Sequence, residues 1–519
     1  MGIKKFPSIF NDVIGPIMRG PSSSHCAASV RIGKMARDLM EGNIQEVLID
    51  FDTNGSLATT HESQGSDMGL FGGLLGWEAT DKRLVESAKA IRDAGINISI
   101  EIKDLNMKHP NTYKLTLKNN KETHELVAIS TGGGMIEIVE IDKVTVSMTG
   151  DQFETLIFTT DARILKYIQD TLTSHEFIPN VGVKTSFIEI KTQKPLDTKV
   201  LNYLKTEYNI KNIKEIKPVL PVLSQREIEV PFITCEEMLK YNEDKNLSLW
   251  ELAIHYESVR GNISADEVYN QMQTIVEIMK NSILEGIKGT DYDDRILGYQ
   301  SGSFKIQMEK KRLLDGGILN QMILYITALM ETKSSMGVIV AAPTAGACGA
   351  VPGALIGAAD TMDLTITEIT RAMLAAGIIG IFISNKSTFS AEIGGCQAEC
   401  GSASGMAAAG LVTLMKGNTQ QAIDAASMAL QNIFGMVCDP VANRVEVPCL
   451  GKNILAASNA LACTNMALAN YDVVIPLGEV IEAMDKVGRS IPHELRCTAL
   501  GGLSVTKTSR LLENKLKAL

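Results

Sequence analysis

The chain has 519 residues, nine cysteines, a hydrophobic fraction of 45% and a formal net charge of −10. This length is too great for one hydrophobic core and predicts two or three domains. The acidic balance argues against a nucleic-acid or anionic-membrane partner, because either would need a basic face.

The start of the chain, MGIKKFPSIF, has no apolar core of the kind found in secretory signals,. The longest apolar runs, near residues 372–383 and 403–415, are too short to span a bilayer and predict buried helices,. We therefore expect a cytoplasmic protein with no membrane partner, whose thiols serve a metal or catalysis rather than disulfides.

Residues 1–150 alternate helix-like and strand-like segments, which predicts an α/β domain,. Helical periodicity over residues 30–40 precedes a strand-like run at 46–51. A second helical segment at 84–94 precedes an alternating strand at 96–102. Three polar loops in this domain are candidates for a binding site.

The first loop is GPSSSH, residues 20–25. The hydroxyls of Ser22, Ser23 and Ser24 before a helix suit a carboxylate or phosphate, although a simple helix cap explains them equally well. The neighbouring His25 is open to three interpretations, namely a core histidine, a general base or a supporting residue.

The other two loops are GSLATTHESQGSD at residues 55–67, and a pair formed by HPNT at 109–112 with STGGGM at 130–135. They supply His61, His109, Asn111 and Gly133. Consecutive glycines allow backbone amides to wrap an anion, but a flexible hairpin is the alternative.

Residues 154–222 follow an approximate βαββαβ order, with helices at 163–173 and 195–208 and clear strands at 156–160, 184–191 and near Ile213. The order predicts a small regulatory domain, and an elaborate linker is the alternative. Beyond residue 231 long periodic segments at 247–256, 265–282 and 317–332 predict a mostly helical domain,. It is interrupted by APTAGACGAVPGAL, which contains Thr344, and by the polar run that begins at Asn385.

Four cysteines lie within 54 residues, between GGCQAEC and VCDPVANRVEVPC. They are Cys396, Cys400, Cys438 and Cys449. Thiolates select iron–sulfur clusters or zinc, and glycine or proline beside the cysteines suits ligand-bearing turns. Free cysteines buried in an alanine-rich helical core are the other explanation.

These motifs closely resemble those of bacterial iron–sulfur L-serine dehydratases. GPSSSHCAASVRIGKMA is similar to their β-type domain, and AAPTAGACGAVPGAL, GGCQAECGSAS and CDPVANRVEVPC are similar to their α-type domain. The resemblance implies a multidomain α+β protein with a β-type α/β domain at 1–150, an ACT-like ferredoxin-type domain at 151–222 and a mostly α-helical α-type domain at 223–519.

The resemblance also implies a lyase of amino-acid degradation that converts L-serine to pyruvate and ammonia as a homo-oligomer. Its [4Fe–4S] cluster would be held by Cys396, Cys438 and Cys449. Candidate bases are His25, His61 and His109. The expected substrate-binding residues are Ser22, Ser23, Ser24, Asn111, Gly133, Thr344 and Asn385.

One departure from the family pattern leaves alternatives open. Gln64 stands where the family has a histidine, and His61 lies three residues earlier. L-threonine or L-cysteine are alternative substrates for a related β-elimination, and an iron–sulfur sensor or a structural zinc protein is an alternative function. The resemblance implies that a cysteine of the C-terminal region caps the open iron, but the given sequence ends in LKAL without a terminal cysteine. Cys497 or Cys400 is then the candidate capping thiol, and water on the iron with a Cys497 that merely packs is the alternative.

Overall fold

The computed structural model describes residues 6–171, 176–181, 186–224 and 229–517. Helices predominate, and the strands of the described ranges form a six-stranded mixed sheet, a four-stranded sheet and a two-stranded sheet. The expectation of a multidomain protein that combines helices with sheets is confirmed. The predicted domain boundaries stay predictions.

The N-terminal part is built on the six-stranded sheet. Its elements are β1 (Ile17–Met18), α1 (Ala28–Leu39), β2 (Glu46–Asp52), α2 (Leu57–Thr60), α3 (Ser66–Leu74), α4 (Ser87–Asp93), β3 (Asn97–Lys103), β4 (Thr112–Lys118), β5 (Thr123–Gly132), β6 (Met135–Ile141) and β7 (Val144–Met148). The sheet order is β3-β2-β4-β5-β6-β7, in which β2 and β3 are parallel and the other neighbours antiparallel. The single helix expected at 84–94 is divided, since a 3₁₀ turn at Lys82–Glu86 precedes α4.

The middle part has the βαββαβ order expected from the sequence. Its elements are β8 (Phe153–Thr159), α5 (Arg163–Thr171), β9 (Glu176–Val181), β10 (Ser186–Thr192), α6 (Thr198–Glu207) and β11 (Ile210–Ile216), and the antiparallel sheet order is β11-β8-β10-β9. The predicted helix 163–173 and strand 184–191 include residues 172, 173, 184 and 185, which lie outside the described ranges. Buried Lys214 on β11 joins this part to the first, because its Nζ contacts Glu122 at 2.6 Å and Glu41 at 3.0 Å.

The C-terminal part is helical. Its elements are α7 (Cys235–Asn242), α8 (Leu249–Gly261), α9 (Ala265–Lys288), α10 (Ser301–Glu309), α11 (Ile318–Ser334), β12 (Ile339–Val340), α12 (Ala350–Thr361), α13 (Ile366–Lys386), α14 (Ala391–Gly394), α15 (Ser402–Leu414), α16 (Thr419–Gln431), α17 (Cys449–Leu468), α18 (Leu477–Ser490) and α19 (Lys507–Leu516). Local signals define several starts, as at α9 and α13, where Ser264 with Glu267 and Thr365 with Glu368 form capping boxes,.

Helix α15 is the centre of this part and packs against α12, α13, α16 and α17. Small residues permit the close approach: a Cβ on Gly410 would lie 2.7 Å from Leu355 and 3.0 Å from the carbonyl of Ala372. Helix α13 is long and apolar enough to cross a membrane by length and composition, but 78% of its most apolar window is buried inside the protein. That burial is the property of a core helix.

The N-terminal segment ties the sheet to the helices. Strand β1 pairs antiparallel with β12, with Ile17 opposite Val340. Upstream, buried Glu257 of α8 accepts hydrogen bonds from Ser8 Oγ (2.5 Å) and the Ile9 amide (2.7 Å). Residues 8–18 therefore pack with the helical core, although the sequence suggests a boundary near residue 150.

Candidate active site

The three cysteines expected to bind metal are all buried, and two of them, Cys396 and Cys449, stand at the starts of helical segments. Cys396 precedes a π-helical turn at Gln397–Gly401 and follows Gly395, whose φ of 71° and closeness to the Met436 carbonyl exclude a side chain,. The backbone of Cys438 forms an isolated parallel β-bridge with that of Arg496, and Cys449 is the first residue of α17. The hydrogen bond with Cys497 together with burial raises the pKa of Cys438, and burial raises the pKa of Cys449. The charge of Cys396 adds a smaller rise to both, so the three thiols lie near one another.

Two further thiols accompany this group. Cys400 donates a hydrogen bond to Cys396 and, with Lys452 close by, lowers the pKa of Cys396 to about 7. Cys497 is hydrogen-bonded to Cys438, and this contact together with burial raises the pKa of Cys438. The backbone fixes the second pair, because the amide of Cys497 donates to the Cys438 carbonyl at 2.9 Å.

Two lysines, buried Lys333 and half-buried Lys452, place positive charge beside the thiols. Lys452 Nζ donates to Asp439 at 2.9 Å and to the Val437 carbonyl at 2.6 Å. Lys333 Nζ donates to the Val445 carbonyl, and its charge opposes the rise in the Cys449 pKa that burial causes. Such cations stabilise thiolates, the form in which cysteine binds metal. Within the described ranges, no three His, Cys, Asp or Glu side chains are arranged around a single metal ion.

His25 is fully buried and makes polar contacts through both ring nitrogens. Nδ1 lies 3.0 Å from Ser22 Oγ and 3.8 Å from a Glu392 carboxylate oxygen, while Nε2 lies 2.8 Å from Thr60 Oγ1. Burial lowers the pKa of His25, and Glu392 opposes that shift. Glu392 in turn accepts from Ser390 Oγ at 2.7 Å.

The other serines of this loop are also buried, and Ser23 joins the two parts of the site. Its Oγ accepts a hydrogen bond at 3.1 Å from the amide of Ala345, the residue after Thr344. Thr344 Oγ1 donates to Glu399 at 2.6 Å, and burial raises the pKa of Glu399 to about 8. Glu399 therefore carries a proton at neutral pH.

Asn111 presents unpaired amide groups at the start of β4. It is fully buried, and among the described residues neither its Oδ1 nor its Nδ2 has a hydrogen-bond partner. Ser130 Oγ and Arg496 Nε are also buried without a hydrogen-bond partner among the described residues. Buried polar groups are normally paired, so these atoms are suited to bind a polar ligand.

The glycine turn between β5 and β6 brings the sheet to the helical part. A Cβ on Gly132 would lie 2.9 Å from the Ser390 amide, and a Cβ on Gly133 would lie 3.2 Å from the Pro343 carbonyl. Only residues without a side chain permit this approach. Gly133 is thus brought to the loop that contains Thr344, and its role in binding substrate stays a prediction.

The two other candidate bases differ in how they are held, and the charge of Glu392 also acts on one of them, His109. His61 Nδ1 lies 2.8 Å from Asp67, and its ring stacks on Phe51; burial lowers its pKa, but Asp67 outweighs burial and the net pKa is raised. His109 Nδ1 accepts from the amide of Asn111 at 3.2 Å, and burial lowers its pKa.

Gln64, rather than His61, occupies the position beside the thiols. Its Nε2 lies 3.6 Å from Cys497 Sγ and 3.5 Å from Asn443 Oδ1. Asn385 is not brought to the site, since it is exposed on the last turn of α13. The chain reaches the site only five and seven residues later, with Ser390 and Glu392.

A path from the surface approaches this interface between the two parts. An outer cleft of about 610 Å³ and an inner cavity of about 80 Å³ share the lining residues Glu62, Ser63, Tyr292, Asp294 and Arg444. The inner cavity reaches Lys333 and Gly65. Arg444 and Asp294, which line both the outer cleft and the inner cavity, form an ion pair where the two meet.

Several residues of the site were not identified from the sequence. Thr60, Ser130, Ser390, Glu392, Glu399, Lys333 and Lys452 belong to this set. Glu392 and Glu399 lie within four residues of Cys396, and that nearness was the available signal. Lys333 and Lys452 belong to no motif that the sequence analysis singled out.

A sequence model of the serine dehydratase alpha chain family matches residues 244–504. The probable L-serine dehydratase alpha chain of Bacillus subtilis is 35% identical over 285 residues, which are 55% of this chain and 95% of that protein. The L-serine dehydratase alpha chain of Peptoniphilus asaccharolyticus is 33% identical over 279 residues, 53% of this chain and 95% of that one. L-serine dehydratase 1 of Escherichia coli is 32% identical over 288 residues, 54% of this chain and 62% of that protein. With half of its length matched by the family model and nearly the whole of two alpha chains aligned to it, this chain belongs to the serine dehydratase alpha chain family.

Proposed function

We propose that this protein is a lyase that dehydrates and deaminates L-serine to pyruvate and ammonia with a [4Fe–4S] cluster bound by Cys396, Cys438 and Cys449. The observation that carries the proposal is the buried His25–Glu392 pair, whose carboxylate stands four residues before Cys396, in a chain of the serine dehydratase alpha chain family. Cytoplasmic location and a homo-oligomeric state stay predictions of this proposal.

The donor set fits such a cluster. Each thiolate of a four-iron cluster bonds a different iron, so three ligands share a neighbourhood without converging on one point. A single zinc ion would instead need its ligands at about 2.3 Å from one centre. Lys333 and Lys452 offset the negative charge that thiolates and sulfides bring into a buried site,.

When bound, a cluster with three cysteine ligands supplies Lewis acidity at its remaining iron. The protein must supply a base for the Cα proton of serine and groups that orient the amino acid. Loss of that proton and of the hydroxyl gives aminoacrylate, which tautomerises and reacts with water to give pyruvate and ammonia.

His25 is the residue best suited to accept the Cα proton. Thr60 Oγ1 donates its one proton to the Ser56 carbonyl at 2.7 Å, so at the 2.8 Å contact with His25 it must accept from Nε2–H,. The proton of the neutral ring is therefore on Nε2, and Nδ1 keeps its lone pair toward Ser22 and Glu392. His61 is held by Asp67, whereas the described hydrogen bonds of His109 involve only Nδ1, so His109 is the alternative base.

Asn111 and Ser130 are suited to orient the carboxylate and ammonium of the substrate. Their buried side-chain atoms have donors and acceptors to offer and no described protein partner. Glu399, protonated at neutral pH, is a source of a proton for the departing hydroxyl,.

The test is an anaerobic assay of the reconstituted protein with L-serine, L-threonine and L-cysteine, in which pyruvate, 2-oxobutyrate and sulfide are measured separately. The proposal expects pyruvate from L-serine as the main product. It is wrong if the anaerobic protein turns over none of the three, and its substrate assignment is wrong if 2-oxobutyrate or sulfide forms fastest. Because Gln64 cannot exchange a proton as a histidine does, comparison with Gln64→His shows whether this position selects among the three.

A further inference from the structure

A second cavity of about 370 Å³ lies between the N-terminal part and helix α9, and none of its lining residues belongs to the candidate active site. Its walls are mostly apolar and include Phe10, Ile17, Val30, Val219 and Ile275. The volume lies within the range of about 300–1,000 Å³ that is typical of small-molecule sites.

Arg31 gives this cavity a specific polar group. Its side chain is buried and lines the cavity, and Nη1 donates to the Gly134 carbonyl at 2.5 Å. In the hydrogen bonds described for the chain, Nη1 alone of its nitrogens donates to the protein. Burial lowers the pKa of Arg31 to about 10, and Asp12 and Glu78 oppose the shift, so the group is cationic at neutral pH. A guanidinium with free N–H groups is suited to a carboxylate.

A carboxylate also stands at the rim. Glu78 lines the cavity and pairs with Lys34 at 2.5 Å, and its side chain is 70% exposed. It can therefore turn toward an ammonium group within the cavity. A buried guanidinium, an exposed carboxylate at the rim and apolar walls together match the three parts of an α-amino acid with an apolar side chain.

We propose that this cavity binds such an amino acid, with its carboxylate on Arg31, its ammonium toward Glu78 and its side chain against Val30 and Ile275. The site is separate from the place where serine reacts.

The cavity is connected to the active site through the glycine turn. Arg31 holds the carbonyl of Gly134, and a Cβ on Gly134 would lie 3.0 Å from Pro16, another wall of the cavity. The other end of the turn, Gly132, abuts the Ser390 amide, and Ser390 donates to Glu392 beside His25. A carboxylate bound to the free N–H groups of Arg31 shares the guanidinium that supports this turn, and the turn reaches Glu392, so the bound amino acid regulates turnover.

Two backbone hydrogen bonds form a second connection between the cavity and the active site. The Gly15 amide donates to the Ala341 carbonyl at 2.9 Å, and the Ala341 amide donates to the Pro16 carbonyl at 3.1 Å. These bonds join the cavity wall directly to the segment that leads to Thr344. The regulatory half of the inference rests on the proposed function, whereas the binding half does not.

The experiment is anaerobic isothermal titration calorimetry of the cluster-containing protein with L-leucine, L-isoleucine and L-phenylalanine. At least one is expected to bind with one molecule per chain. Its carboxamide analogue, which cannot bind Arg31 as a carboxylate, is expected to bind about tenfold more weakly or not at all.

Thr274→Trp provides the decisive variant, because Thr274 lines the cavity from exposed positions of α9 and a large side chain there fills the space. It is expected to weaken binding by about tenfold or more and to remove the change in serine turnover that the amino acid causes. Lys305→Ala on α10 is the matched surface control and should bind as the parent does.

The proposal is overturned if none of the three amino acids binds the parent at about 10 mM, or if binding survives Thr274→Trp undiminished, which would locate it at the active site. Arg31→Met removes the buried group that holds the Gly134 carbonyl and is therefore interpreted only if the variant folds. The conclusion depends on Thr274→Trp. Absence of serine turnover in the parent would contradict the proposed function and leave the binding result to stand alone.

Discussion

Thr60 Oγ1 lies 2.8 Å from His25 Nε2 and donates its own proton to the Ser56 carbonyl at 2.7 Å. The hydroxyl can only accept from the imidazole, so it fixes the proton of the neutral ring on Nε2. The basic Nδ1 is thereby directed toward Ser22 and Glu392. A short helix of the N-terminal part thus sets the protonation of the histidine that we assign as base.

Replacing Thr60 tests this role. Thr60→Val keeps the shape but removes the acceptor, so the tautomer is no longer fixed, and kcat/KM should fall by about tenfold or more. Thr60→Ser restores the hydroxyl and should recover most of the activity. Thr59→Val is the control, because Thr59 is exposed and its hydroxyl contacts only backbone carbonyls of Ser56 and Thr498. Equal rates and pH profiles for Thr60→Val and the parent would contradict the assignment.

The pH dependence follows from the burial of His25. Burial lowers its pKa below the ordinary value of 6.5, so kcat/KM should stay high at neutral pH and decline only on the acid side of that value. Glu392 raises the pKa of His25, and Glu392→Gln should therefore move the acid limb to lower pH. A limb that moves to higher pH, or does not move, would exclude Glu392 as the charge that acts on His25.

The same shift affects stability. In the unfolded chain His25 takes up a proton near pH 6.5, whereas in the folded protein it stays neutral to lower pH. The unfolded state then binds more protons, so the free energy of unfolding should decrease as the pH falls below that value. Denaturant unfolding at a series of pH values measures the slope, and it should be smaller in His25→Gln.

Asn111 should matter for substrate and not for folding. Its buried amide has no described partner, so Asn111→Ala removes an unsatisfied group and should change the free energy of unfolding by less than about 1 kcal/mol,. The loss of a hydrogen bond to the substrate should reduce kcat/KM by about tenfold.

Asn119 offers the matched control. It is also buried, but its amide donates to the Asn43 carbonyl and accepts from the amides of Lys121 and Glu122. Asn119→Ala should therefore destabilise the protein and leave KM unchanged. If Asn111→Ala destabilised as much and left KM unchanged, Asn111 would be a structural residue.

The two accompanying thiols should differ in their effect on air sensitivity. Cys400 is packed within the helical core, where Asn453 Nδ2 lies 3.6 Å from its sulfur. Cys497 lies on a C-terminal segment between Cys438 and Gln64 and is the better placed to protect an open iron. Bleaching of the visible absorption in air should be faster in Cys497→Ala than in the parent and unchanged in Cys400→Ala. Equal bleaching in all three would leave water as the resting ligand.

The sequence predicts well what depends on local pattern. The βαββαβ order of the middle part and the long periodic helices follow from hydrophobic periodicity. The loops expected at residues 20–25 and 130–135 are shorter than expected, because Ser23–Ala27 is a π-helical turn, β5 runs to Gly132 and β6 starts at Met135. The fourth strand, Glu176–Val181, lacked a clear alternating pattern and was not identified.

Long-range contacts are what the pattern cannot supply. The hydrogen bond between Ser23 and Ala345 joins residues 322 positions apart, and Lys333 reaches Val445 across 112. The loop around His25 also has the composition of an exposed segment, yet it is buried because the helical part covers it. Asn385 shows the reverse error: its nearness to the cysteine motif predicted a place in the site, but it is exposed at the end of a helix.

The most direct test of the cluster is the iron and acid-labile sulfide content and the visible spectrum of anaerobically reconstituted protein, with and without L-serine. The parent should contain about four irons and four sulfides per chain, and its spectrum should change when L-serine is added. Cys396→Ser, Cys438→Ser and Cys449→Ser should each lose the cluster, whereas Cys235→Ser, a buried cysteine at the start of α7, should keep it. Full cluster content in Cys438→Ser, or a spectrum of the parent that L-serine leaves unchanged, would contradict a three-cysteine cluster that acts on serine.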